Sequence, residues 1–79
     1  MVIGMKIEII SKVYLEGDHW YDDTRFYDYI VELDGHDNPY KMTKLYEPRK
    51  YPHVEEGDKI TCLINEDRLK NVKVLREIE

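Results

Sequence analysis

The chain has 79 residues, of which 42% are hydrophobic and 37% are charged, and its formal net charge is -5 at pH 7. This length allows one small domain with a thin core, and the composition is typical of a folded chain and excludes a disordered one. The apolar residues occur in short runs, so we expect no membrane-spanning segment. The single cysteine, Cys62, cannot form an internal disulfide, and we expect a protein of the reducing cytoplasm.

The first predicted strand runs from Met5 to Leu15. Its apolar residues recur every second position and are expected to share one face: Met5, Ile7, Ile9, Val13 and Leu15. The Gly and Asp residues of EGDHWYDD, residues 16–23, predict a loop that ends this strand. We interpret residues 1–79 as one domain, because the length allows only one, and residues 1–4 as a disordered N-terminal extension.

The second and third predicted strands form a hairpin around the turn sequence GHDNP, residues 35–39. The second strand runs from Arg25 to Asp34, and its alternation predicts a core face of four residues: Tyr27, Tyr29, Val31 and Leu33. The third runs from Tyr40 to Tyr46, with Tyr40, Met42, Lys44 and Tyr46 on one face. Pro48 and Pro52 then predict an irregular connection with room for one helical turn.

The last two predicted strands are also joined by a short turn. Residues 59–64, KITCLI, are rich in β-branched residues and predict the fourth strand, with Cys62 as a small buried hydrophobe. Leu69, Val72 and Val74 mark the fifth, although the same residues also fit a short terminal helix. The turn NEDR and the valines favour the strand.

Five short strands with this pattern of connections predict an all-β fold, a small five-stranded Greek-key barrel of the OB-fold type. The segment VEEGDKITCLINEDRLKNVKVL, residues 54–75, resembles the closing strands of small single-strand-binding OB domains. This resemblance implies a binding surface on strands two and three, flanked by the loops that join strands one to two and four to five. An SH3-like barrel is the alternative architecture.

A basic and aromatic stretch, YKMTKLYEPRKYPH at residues 40–53, lies on that expected surface. Single-stranded nucleic acid requires cations for its phosphates and exposed rings on which its bases can stack. The residues that supply both, and that predict a nucleic-acid-binding site, are Tyr40, Lys41, Lys44, Tyr46, Arg49, Lys50 and Tyr51, with Trp20 in the first loop extending the platform. The same tyrosines could instead pack in the core, and the cations could simply be solvated.

An acidic stretch gives the alternative hypothesis. Residues 16–37 contain eight acids and one cation, Arg25. Such a surface would dock on a basic partner protein and could mimic nucleic acid, as a phage-type inhibitor does. The residues predicted to carry this role are Asp18, Asp22, Asp23, Asp28, Glu32, Asp34 and Asp37.

No recognised catalytic, phosphate-binding or metal-binding motif occurs in the chain, so we expect a protein that is not an enzyme and that needs no cofactor or metal. The partner is expected to be single-stranded nucleic acid or a basic protein surface, and no membrane. Self-association into a homo-oligomer through an exposed barrel edge is compatible with either function.

Overall fold

A computed structural model describes residues 5–50 and 53–75, without the side chain of Lys50. The predicted extension at residues 1–4 and the predicted contact residue Tyr51 lie outside the described residues. The described chain is all-β and contains five strands: β1 (Lys6–Tyr21), β2 (Thr24–Leu33), β3 (Tyr40–Leu45), β4 (Lys59–Asn65) and β5 (Arg68–Val74). The fifth segment is therefore a strand, as its valines indicated, and the connection after β3 includes a single helical turn at Pro48–Lys50.

The strands close into a barrel in the order β1-β2-β3-β5-β4. β1–β2, β2–β3 and β4–β5 are all antiparallel neighbours, which confirms the predicted hairpin of the second and third strands and the predicted short turn between the last two. β1 completes the ring by pairing with β4 through Lys6–Ile9. The remaining contact, between β3 and β5, is parallel and contains a single registered pair, Lys41 with Arg68. This is the least extensively paired neighbouring contact of the barrel.

The predicted loop at residues 16–23 is wrong over most of its length. β1 continues to Tyr21, and only Asp22 and Asp23 form the turn to β2. Both turn residues have positive φ, 53° and 60°, which is the backbone of a type I′ hairpin turn. The strand persists through its Gly and Asp residues because β2 supplies a cross-strand partner for each position from Gly17 to Tyr21.

The predicted shared face of the first strand is also wrong. Two irregularities in the β1–β2 register, between Ile10 and Lys12 and between Leu15 and Gly17, each insert an extra residue into β1. A bulge of this kind reverses the side to which the following residues point. As a result Ile10 is buried and Val13 packs against the core, whereas Ile7 is 63% exposed.

The core lies inside the barrel and is built from the inward faces of all five strands. The alternation predicted for β2 is confirmed: Tyr29, Val31 and Leu33 are buried, and Tyr27 packs against them. The other buried residues are Ile10, Met42, Val54, Ile60, Cys62, Leu69 and Val72. Burial raises the pKa of the Cys62 thiol, because the charged thiolate is disfavoured away from water.

Candidate functional site

A groove of about 390 Å³ lies where β3 and β5 diverge from their single registered pair. Three cations line it, Lys44 from β3 and Arg68 and Lys70 from β5, together with polar Thr43 and Asn71. Met42, Leu69 and Val72 complete the lining, to which no aspartate or glutamate of residues 5–50 and 53–75 contributes. In a chain of net charge -5, this is a locally basic surface.

The shape of β5 explains why its cations face the groove. The β4–β5 register shifts between Thr61 and Leu63, and Asn71 has a positive φ of 54° beside this irregularity. Asn tolerates that left-handed backbone better than most residues do. The bulge leaves Lys70 and Asn71 exposed one after the other, while Leu69 and Val72 remain buried on either side.

Lys44 of β3 links the two strands that form the groove. Its Nζ donates a hydrogen bond of 2.8 Å to the carbonyl oxygen of Val72, which links β3 to β5 beyond their registered pair. Across the same seam, the Arg68 Nη1 donates to the Thr43 Oγ1 over 3.4 Å. These contacts link β3 to β5 at two successive residues of β3, Thr43 and Lys44.

A second depression of about 250 Å³ adjoins the first and shares Met42, Thr43 and Arg68 with it. It adds the cation Lys41, and it also contains Glu16, His19 and Asp28. The Asp28 carboxylate is engaged at both oxygens, since the His19 Nδ1 lies 2.6 Å from one and the Thr43 Oγ1 donates to the other over 2.8 Å. The local charges of this depression therefore largely offset one another.

Aromatic rings flank these grooves on the outer side of β1 and β2. The His19 ring stacks on Phe26 with centroids 5.5 Å apart and an angle of 22° between the planes. Tyr14, which is 49% exposed, lies directly opposite Ile30 in the same sheet. All three rings are positioned by the β1–β2 register, which the sequence pattern did not reveal.

The predicted nucleic-acid residues are distributed over several surfaces. Lys41 lies at the grooves and Arg49 is exposed in the helical turn. Tyr40 is half-buried, with its hydroxyl 2.9 Å from the His36 Nδ1. Tyr46 is half-buried beneath the guanidinium of Arg25, whose Cζ lies 4.6 Å from the ring centroid.

Trp20 is 67% exposed, but it lies at the tip of the β1–β2 hairpin and does not line either groove. It is paired with Arg25 in register, and it precedes the Asp22–Asp23 turn. Because neighbouring residues of a strand point to opposite sides, Trp20 faces away from His19.

The seven predicted acids do not converge on one face. Asp18 binds the Arg25 Nε at 2.7 Å, a hydrogen bond that raises the pKa of Arg25, and Asp28 is engaged as described above. Asp22 and Asp23 lie at one end of β2, and Asp34 and Asp37 follow its other end. Since β2 has ten residues, roughly 30 Å separates these two ends. Glu32 is half-buried near the second end.

Arg68, Lys70 and Asn71 are site residues that the sequence reasoning missed. A signal was present, because RLKNVK alternates buried Leu69 and Val72 with polar residues. The sequence pattern did not indicate that β5 lies beside β3, because this pairing joins residues 27 positions apart in the chain.

Among the described residues, no group of three or more His, Cys, Asp and Glu side chains is arranged to hold a metal ion. The same part of the chain contains no helix whose length and apolar character would allow it to cross a membrane. Comparisons with protein-family models, with curated proteins and with solved structures gave no match for this chain.

Proposed function

We propose that this chain is a non-enzymatic module of the OB-fold type that binds single-stranded nucleic acid, with DNA as the first ligand to test. The binding surface is the groove between β3 and β5, extended over Lys41 and the outer side of β1 and β2. The buried thiol of Cys62 fits the reducing cytoplasm in which we place this activity.

One observation carries the proposal: Lys44, Arg68 and Lys70 line a single groove, and none of the described carboxylates is among its lining residues. Phosphate contacts by Lys and Arg supply most of the affinity of non-specific nucleic-acid binding, because they release condensed counterions. A strongly acidic chain repels a polyanion at long range, so a binding surface must be locally positive. Lys41 beside Arg68 extends this positive surface towards the second depression.

Stacking partners for bases lie next to the cations. The His19 ring, which stacks on Phe26, lies 2.6 Å from the Asp28 carboxylate. Thr43 donates to the same carboxylate, and its hydroxyl accepts from the groove cation Arg68. Tyr14 offers a second exposed ring. Stacking on an aromatic side chain contributes about 1–3 kcal/mol per base and is tolerant of sequence. These rings, and not the half-buried Tyr40 and Tyr46, are the platform in our proposal.

The placement of the acids supports this function over the acidic docking surface. A nucleic-acid mimic needs carboxylates grouped where a partner's cations can meet them. Here Asp18 and Asp28 are engaged within the chain, and the exposed acids are divided between the two ends of β2.

The test is a titration of a fluorescently labelled oligo-dT at several salt concentrations. The double variant Arg68→Gln with Lys70→Gln removes two groove cations, and we expect it to weaken binding at low salt. Each lost phosphate contact lowers the slope of log affinity against log salt by about 0.7 for a single strand, so the slope should fall by about 1.4.

The matched control is Lys59→Gln with Lys73→Gln, which removes two exposed cations from β4 and β5 that do not line either groove. Its net charge equals that of the groove variant, so general electrostatics affect both in the same way. If the two variants lose affinity and salt slope equally, the groove is not the binding site. If the natural chain shows no salt-dependent binding of oligo-dT, the proposed nucleic-acid-binding function is wrong.

A further inference from the structure

An outer face of the barrel, formed by β1, β4 and β5, carries exposed apolar residues. Ile7 and Ile9 of β1 point outward and are 63% and 43% exposed, and Leu75, across β4 from them, is 44% exposed. In register, Ile7 lies opposite Thr61 and Ile9 opposite Lys59, and the Leu75 amide donates to the Lys59 carbonyl oxygen. Exposed apolar residues grouped in this way mark an interaction surface.

The charges of this face are all positive. Lys59 is exposed beside Ile9, and Lys73, which pairs with Thr61, is exposed one strand further on. The outward positions of these strand segments hold no aspartate or glutamate. We call Ile7, Ile9, Lys59, Lys73 and Leu75 the apolar-lysine face. Its partner must therefore present apolar side chains together with carboxylates.

The opposite end of β1 has that complementary character. Trp20 and Tyr21 are 67% and 72% exposed, the two most exposed large hydrophobic side chains of the described chain. They are followed directly by Asp22 and Asp23, both exposed in the hairpin turn. We call these four residues the hairpin tip. Because neighbouring strand residues point to opposite sides, Trp20 and Tyr21 flank the tip, and an exposed Trp is a typical anchor of a protein interface.

We propose that the chain assembles head to tail, with the hairpin tip of one copy docked on the apolar-lysine face of the next. The tip presents the Trp20 ring and two negative charges, and the face carries two positive charges and three aliphatic side chains. The two surfaces lie near opposite ends of β1, and the eleven steps from Ile9 to Trp20 amount to roughly 35 Å of path along the strand. They therefore meet between copies.

The symmetry of such an assembly follows from the use of two different surfaces. A contact between unlike patches is heterologous, so it generates a ring if the rotation between copies closes and an open filament if it does not. The contact also leaves one free tip and one free face on every dimer. This inference is independent of nucleic-acid binding, since the face and tip do not line the grooves.

The experiment uses sedimentation velocity on the full chain without nucleic acid, at low salt, over a wide range of concentration. The tip variant combines Trp20→Thr with Asp22→Asn and Asp23→Asn. The face variant combines Ile7→Thr with Lys73→Gln. Threonine preserves the preference for strand, and asparagine tolerates the positive φ of the turn, so both variants retain the barrel.

We expect the natural chain to form oligomers that grow with concentration and weaken with added salt. Each variant alone should associate at least tenfold more weakly, a loss typical of removing an interface anchor. An equimolar mixture of the two should form a dimer and nothing larger, because it restores one intact tip and one intact face. The control Leu45→Thr, an exposed apolar residue of β3 outside both surfaces and both grooves, should assemble like the natural chain.

Three results would overturn the inference. The first is a natural chain that stays monomeric up to about 1 mM. The second is a tip variant or face variant that assembles as the natural chain does. The third is a mixture of the two variants that shows no dimer beyond that of each variant alone.

Discussion

Replacing Lys44 by methionine should destabilise the barrel at its weakest seam. β3 and β5 share one registered pair, and the Lys44 Nζ donates a 2.8 Å hydrogen bond to the Val72 carbonyl oxygen beyond it. A hydrogen bond from a charged donor contributes about 1.5–3 kcal/mol. Methionine preserves most of the apolar stem and removes the donor. We therefore expect the free energy of unfolding to fall by about 2 kcal/mol, and Tm to fall by roughly 10 °C, since 1 kcal/mol corresponds to about 4–8 °C in a domain of this size.

The assay is thermal and urea unfolding followed by circular dichroism, with Lys41→Met as the matched control. Lys41 belongs to the same strand, but its side chain is exposed on the outer side. An exposed substitution of this kind changes stability by at most about 0.5 kcal/mol. If the two variants unfold at the same temperature, the link between Lys44 and Val72 does not hold the seam, and the reasoning fails.

Three further predictions concern other positions. Glu66 has a φ of 57° in the two-residue turn before β5, a conformation that glycine adopts without strain. Glu66→Gly should therefore raise the free energy of unfolding by up to about 1 kcal/mol in the melting assay. The control Glu56→Gly, at a position where φ is not positive, should lower it. Burial raises the pKa of the Cys62 thiol, so the thiol should react with a thiol reagent only after unfolding, and rapid labelling of the folded chain would contradict its burial. The contribution of the neutral thiol to stability is present at neutral pH and is lost as alkaline pH ionises it. Tyr29→Phe removes the 2.8 Å hydrogen bond between the Tyr29 hydroxyl and the His53 Nδ1, which should cost about 1 kcal/mol in urea unfolding, and an unchanged midpoint would show that this bond does not stabilise the connection after β3.

The inward face of β2 was predictable because it depends only on the alternation of residues within that strand. Tyr27, Tyr29, Val31 and Leu33 alternate without interruption, and no bulge is recorded in their pairing with β3. Period-two alternation then translates directly into one buried face. The same holds for Cys62 in β4, which is buried as predicted.

The first strand shows where such reasoning fails. Its Gly and Asp residues favour a turn when they are considered alone, but the tertiary pairing with β2 overrides that preference as far as Tyr21. Each bulge in β1 adds one residue, and no residue type in the sequence marks its position. The outward Ile7 and the inward Val13 are the direct consequence.

The sequence by itself determined the local properties of this protein: five segments of strand, the turns between them, and an acidic chain with a basic stretch in its middle. Only the tertiary structure decided that Arg68 and Lys70 join Lys44 around one groove, and that Ile7 and Trp20 carry exposed apolar surface at opposite ends of β1. The physical reason is that alternation specifies which residues share a side of a strand, whereas strand neighbours and bulges are set by contacts between residues distant in the chain.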